Sequence, residues 1–235
     1  MTRPDGRSPQ QMRPVKFDVG VQKDPPGSVI ASFGLTRVLC TATLSDELPP
    51  WIQKKGSPHG WITAEYAMLP GSTPGRVSRE GSGRWAEIQR LVGRSLRAAV
   101  DLKALGPRLI TIDCDVIQAD GGTRTAAISG GWVALALALR KLRSQGVLEC
   151  DITLRGVCAL SCAICEGQVL VDPCYREDAS AQADMNFVLD EQMNFIEIQA
   201  TAEHGTFSQD ALSQAMSLAR QSALEVFSAQ KKALL

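Results

Sequence analysis

Histidine is almost missing from this chain. His59 and His204 are the only two among 235 residues, and no metal-ligand spacing links them, so the sequence supports neither a histidine-based zinc site nor a Ser-His-Asp triad. Net charge is missing too. Lys plus Arg and Asp plus Glu each total 25, and the overall balance points to neither an acidic nor a basic partner. Long apolar runs are absent: the longest near-apolar stretch, residues 130–139, is far too short to cross a bilayer, and the first residues carry no apolar leader. A cytoplasmic protein without a membrane partner is expected. No short-period repeat is visible.

What is present is enough for a folded domain. At 44% hydrophobic residues the chain can bury a core, and its length allows one large domain or two small ones. Seven cysteines, an odd number scattered through strand-like runs, suit reduced core thiols better than a disulfide framework. Charge is segregated locally. Residues 71–103 carry Arg76, Arg79, Arg84, Arg90, Arg94, Arg97 and Lys103 against Glu80, Glu87 and Asp101, whereas residues 173–197 hold six acids and the single base Arg176. The first segment can attract a polyanion and the second can hold a divalent cation.

Periodicity orders the rest. After a polar opening through Asp24, residues 28–33 and 36–44 read as a hairpin turned at Gly34, and the Pro- and Gly-rich stretch 49–75 reads as a lid or binding loop. Helical spacing runs from Glu87 to Leu105 and stops at Gly106-Pro107. Ile110, Ile112, Cys114 and Val116 alternate with Thr111, Asp113 and Asp115, which predicts a half-buried strand. An apolar helix over about 125–143, strands near 152–164, 168–171, 186–189 and 195–201, and an amphipathic helix over about 208–231 complete an order that favours α+β over a doubly wound sheet.

Three patterns could carry chemistry. Between the alternating strand and the apolar helix lies Gln118-Ala-Asp-Gly-Gly-Thr-Arg-Thr125, where two glycines allow a tight turn, a helix start offers N–H groups and Arg124 adds a planar fork for phosphate. A plain helix start with a threonine N-cap accounts for the same residues without a ligand. The acids Glu177, Asp178 and Asp184 sit among small residues that leave room for Mg²⁺, or else form a solvated loop. Cys158, Cys162 and Cys165 have the spacing of the iron–sulfur ligands in radical SAM enzymes, but they lie late in the chain in a strand-like run whose alternation puts Cys165 on the opposite face, as core thiols do.

Several blocks in order resemble one family. Arg3-Pro-Asp-Gly-Arg7, residues 60–70, Ser82-Gly-Arg84, residues 87–97, residues 112–125, residues 177–186 and residues 199–207 are similar to bacterial RNase PH, a phosphate-dependent exoribonuclease family. The resemblance implies an α+β fold of duplicated β-α units, a ribosomal-protein-like βαβ arrangement with mixed sheets packed with helices, in a single domain over residues 1–235. It implies that inorganic phosphate attacks the last phosphodiester of tRNA precursors and other RNA 3′ ends, releasing nucleoside diphosphates, with nucleotide addition as the reverse reaction. It also implies a homo-oligomer, a hexameric ring built as a trimer of dimers, acting on RNA rather than DNA. Carried over by motif, Arg84, Gly122, Thr123 and Arg124 would bind phosphate, Asp178 and Asp184 would hold Mg²⁺ or assist proton transfer alongside Arg124, and Arg76 and Arg79 would contact tRNA. The segment between Pro70 and Arg84 is shorter than the family pattern, Gly71 replaces an arginine, Trp85 a small residue and Gln182 a glutamate. These departures leave open a catalytically impaired, RNA-binding ring subunit of the same fold.

Overall fold

A computed structural model describes residues 3–53, 59–81, 83–148 and 152–235. Its first sheet has the order β1-β2-β3-β5-β4. β1 (Val15–Val19), β2 (Gly27–Phe33) and β3 (Thr36–Ser45) form an antiparallel meander, and β3 pairs antiparallel with β5 (Leu109–Gln118). β4 (Trp61–Met68) runs parallel to β5, joined to it through α2 (Gly83–Ala99) in a β-α-β unit. The short helix α1 (Pro50–Gln53) precedes β4. The long α3 (Thr123–Ser144) follows β5 directly.

The second sheet, of order β7-β6-β8-β9, is antiparallel throughout. It comprises β6 (Val157–Cys165), β7 (Gln168–Val171), β8 (Ala183–Asp190) and β9 (Phe195–Ala202), with the one-turn helix α4 (Tyr175–Asp178) between β7 and β8 and α5 (Gln209–Ala233) at the end. Helix α3 packs on β2 and β3 with one side and on β6 with the other, which is why its sequence is apolar all round. Gly130 makes that closeness possible: a Cβ there would fall 2.7 Å from the Ala31 Cβ and 2.8 Å from the Cys40 Sγ. Buried side chains from both sheets and from α2, α3 and α5 form one continuous apolar cluster.

The α+β expectation holds, the strand expected near 152–164 begins only at Val157, and three other local expectations change. The stretch 49–75 contains the core strand β4, whose Ile62, Ala64 and Tyr66 point inward; the flanking prolines and glycines masked an alternation only eight residues long, and residues 54–58 of that stretch lie outside the described residues. The polar opening segment contains β1. Helix α2 ends at Ala99 rather than Leu105, because the Ala99 carbonyl accepts from the Arg155 N–H, Val100 bridges to Leu154 and the Leu102 carbonyl accepts from the Gly60 N–H.

Candidate active site

Two helices start at the same place. The start of α2 brings Arg84, with Glu87 a turn further on, and the start of α3 brings Gly122, Thr123 and Arg124, to a single cavity of about 710 Å³. Asp178 at the end of α4 and Asp184 in β8 also line it. Unpaired N–H groups and the helix dipole make each helix start attractive to an anion, and here two of them share the cavity with two guanidinium groups.

The glycine turn is built for close approach. Gly121 and Gly122 have φ of 73° and 67°, a left-handed backbone that suits glycine. The N-cap of α3 is Gly122, with no side-chain cap, and not a threonine. The threonine hydroxyls are used otherwise: Tyr66 donates to Thr123 Oγ1 at 2.9 Å, and Thr125 Oγ1 donates to the Gly122 carbonyl at 2.8 Å. The leading N–H groups therefore lack the side-chain acceptor that a plain helix start would supply.

Charge around the cavity is balanced but not cancelled. Arg124 donates to Gln199 Oε1 at 3.5 Å and lies 3.7 Å from Glu87 Oε1, while Arg84 is exposed. Burial, and then the charge of Asp184, raise the Asp178 carboxyl above its ordinary value despite the opposing charges of Arg84 and Arg124. Burial raises Asp184 likewise, against the pull of Arg124. Asn186 Nδ2 donates to Asp184 Oδ2 at 3.4 Å.

The third acid points elsewhere. Glu177 is fully buried and receives Arg3 Nε at 2.7 Å, Arg3 Nη2 at 2.9 Å and the Cys174 N–H at 2.8 Å. Arg76 and Arg79 are exposed on the loop whose Thr73 and Val77 line the cavity. Trp85 packs partly buried against the core and leaves the cavity open, and the Gln182 side chain accepts from the Gly167 N–H, outside the cavity wall. The cysteine trio does not converge: Cys162 Sγ donates to the Ala215 carbonyl and Cys165 Sγ to that of Glu177. Burial pushes the Cys158 and Cys162 thiols far up and raises Cys165 to about 11, where it also feels Glu177. Among the described residues no group of three His, Cys, Asp or Glu is arranged to hold a metal.

Sequence reasoning missed part of the wall. Glu203, His204, Thr201 and Tyr175 also line the cavity; the run 199–207 was the signal for the first three, and Tyr175 had none. It missed the opening arginines more completely, for Arg3 and Arg13 are 2% and 4% exposed inside a segment that reads as polar surface.

A model of the 3′ exoribonuclease family matches the chain in two parts, domain 1 over residues 11–141 and domain 2 over residues 157–222. The chain belongs to the 3′ exoribonuclease family. It is 52% identical to ribonuclease PH of Synechococcus sp. (strain JA-2-3B'a(2-13)), across 99% of this chain and 97% of that one, and 50% identical to ribonuclease PH of Corynebacterium kroppenstedtii, across 99% and 92%. In fold it resembles rice Rrp46, with a TM-score of 0.80 at 19% identity over 99% of this chain and all of the other. It also resembles a chain of the Archaeoglobus fulgidus exosome with RNA bound to the active site, with a TM-score of 0.80 at 18% identity over 96% and 91%. In this member of the 3′ exoribonuclease family the cavity lies between the two matched parts. Arg84 and the residues from Gly122 to Arg124 come from the first, Asp178 and Asp184 from the second.

Proposed function

We propose that Arg84, Gly122, Thr123 and Arg124 seat inorganic phosphate beside the last phosphodiester of an RNA 3′ end, with Asp178 and Asp184 facing the reacting atoms. The chain is a phosphate-dependent 3′-to-5′ exoribonuclease that trims tRNA precursors. The convergence of the uncapped start of α3, two arginines and two carboxylates on one cavity carries the residue assignment. Bringing a phosphate nucleophile to a phosphodiester sets two anions against each other, and the fixed positive charge of Arg84 and Arg124 offsets that repulsion while the N–H groups hold the attack in line. Phosphate oxygen forms a bond to the terminal phosphorus, the 3′ oxygen of the preceding nucleotide departs, and a nucleoside diphosphate leaves. Phosphate is ionised at neutral pH, so the site needs no histidine base.

The carboxylate pair suits a magnesium ion. Both carboxyls are raised by burial, Asp178 also by its neighbour, and the arginines only partly relieve them; hard oxygen donors with room for water match this ion. Held by Asp178 and Asp184, it would offset negative charge on the scissile phosphate and the departing 3′ oxygen. Arg76 and Arg79 extend positive charge along the loop beside the cavity, where an RNA backbone would run. The working form is a hexameric ring of this chain, a trimer of dimers. Incubating 3′-tailed tRNA with the protein and Mg²⁺ is expected to release nucleoside diphosphates only when phosphate is added; monophosphates formed in its absence would overturn the assignment.

A further inference from the structure

The peptide planes of the glycine turn are held from behind. We propose that Arg13 and Thr36 are positioning residues that aim the turn's N–H groups at phosphate, an inference resting on the phosphate seat proposed above. Thr36 Oγ1 donates to the Gly121 carbonyl at 2.6 Å and accepts from the Asp120 N–H at 2.9 Å. The Arg13 guanidinium donates to the carbonyls of Asp120 and Gly121. In a trans peptide the C=O and the following N–H point to opposite sides. Carbonyls directed at Arg13 and Thr36 therefore turn the N–H groups of Gly121 and Gly122 the other way, toward the cavity that both residues line.

Arg13 cannot swing out of place. Asp172 accepts from its Nε at 2.9 Å, its Nη2 at 2.6 Å and its backbone N–H at 2.8 Å. Asp172 has a φ of 49°, a left-handed conformation that costs an L residue energy and persists only where the surroundings enforce it. They do so here, since the Asp172 N–H donates to the Ser161 carbonyl and the Asp172 carbonyl accepts from Arg3 and Arg7. The next carbonyl, that of Pro173, lies 2.5 Å from where a Gly121 Cβ would stand. The same anchor thus presses the nucleophile turn against the segment that leads to Asp178.

Thr36→Val removes the hydroxyl and Thr36→Ser keeps it, both outside the Arg13–Asp172 pair. With phosphate titrated against saturating 3′-tailed tRNA, Thr36→Val is expected to raise KM for phosphate about three- to tenfold, the worth of one hydrogen bond, with KM for RNA unchanged and Thr36→Ser restoring the wild-type value. Calorimetric titration with inorganic phosphate alone should weaken by the same factor. Arg13→Lys is expected to act in the same direction and supplies an independent variant should Thr36→Val fold poorly. A loss of kcat or of thermal stability with phosphate KM and affinity unchanged makes these residues structural and overturns the inference. Arg124→Gln is measured alongside. If its phosphate affinity is also unchanged, the phosphate seat itself is wrong; if it weakens while Thr36→Val and Arg13→Lys do not, only the positioning role falls.

Discussion

Arg124 concentrates the proposed chemistry in one side chain. It stands at the start of α3 with contacts to Gln199 and Glu87 that orient its guanidinium without satisfying it. Arg124→Gln keeps a donor but removes the charge, so kcat/KM for phosphorolysis is expected to fall about 10²- to 10³-fold, as when a transition-state donor is lost, with the circular dichroism spectrum unchanged. A loss smaller than about tenfold would place the nucleophile elsewhere. The turn that carries Gly122, Thr123 and Arg124 was legible because two glycines between an alternating strand and an apolar helix mark a tight turn and a helix start. Glu177 was not. It stands next to Asp178 on a one-turn helix, where adjacent side chains point about 100° apart, and its inward direction depends on Arg3, 174 positions away in sequence.

At the scale of the element, β5 shows how far periodicity reaches. Its alternating side chains bury Ile110, Ile112, Cys114 and Val116 and leave Asp113 and Asp115 on the other face. Burial, and then the charge of Asp115, raise Asp113 above its ordinary 3.8, with the Thr41 hydrogen bond opposing. The folded state therefore disfavours the ionised form, and this penalty is absent below 3.8 and grows as the pH rises through the higher folded value. Asp113→Asn is expected to melt higher than the wild type at neutral pH, with the gap narrowing as the pH falls toward 3.8; equal melting temperatures across that range would contradict it. β4 was harder to read than β5 because Pro and Gly crowd both of its ends, and β1 because only five residues pair. The end of α2 was misplaced because carbonyl partners distant in sequence, not the apolar spacing, stop it.

At the scale of the molecule, buried arginines tie the first residues to the second sheet. Burial alone would raise the Glu177 carboxyl, but hydrogen bonds from Arg3 and the Cys174 N–H, with the charge of Arg3, hold it below its ordinary 4.5. The stability this pair contributes is full above 4.5 and is lost as the pH falls through the lower folded value. Glu177→Gln leaves the Arg3 charge buried without its counter-ion and is expected to cost about 3 kcal/mol, read from urea unfolding, with the deficit shrinking in acid. Because one apolar cluster joins both sheets, unfolding should be a single transition, and two separated steps would show that the halves fold independently.

The sequence by itself determined the α+β class, the position of the glycine turn and the acidic run, because strand alternation, glycine turns and helix starts are set by residues within a few positions of each other. Only the tertiary structure decided that Arg84, Arg124, Asp178 and Asp184 share one cavity, that Glu177 leaves the acidic run to meet Arg3, and that Arg13 lies behind the glycine turn. Those arrangements join parts of the chain more than a hundred residues apart in the case of Arg3 and Arg13. Packing α3 between two sheets brings such parts together, and no local spacing encodes that meeting.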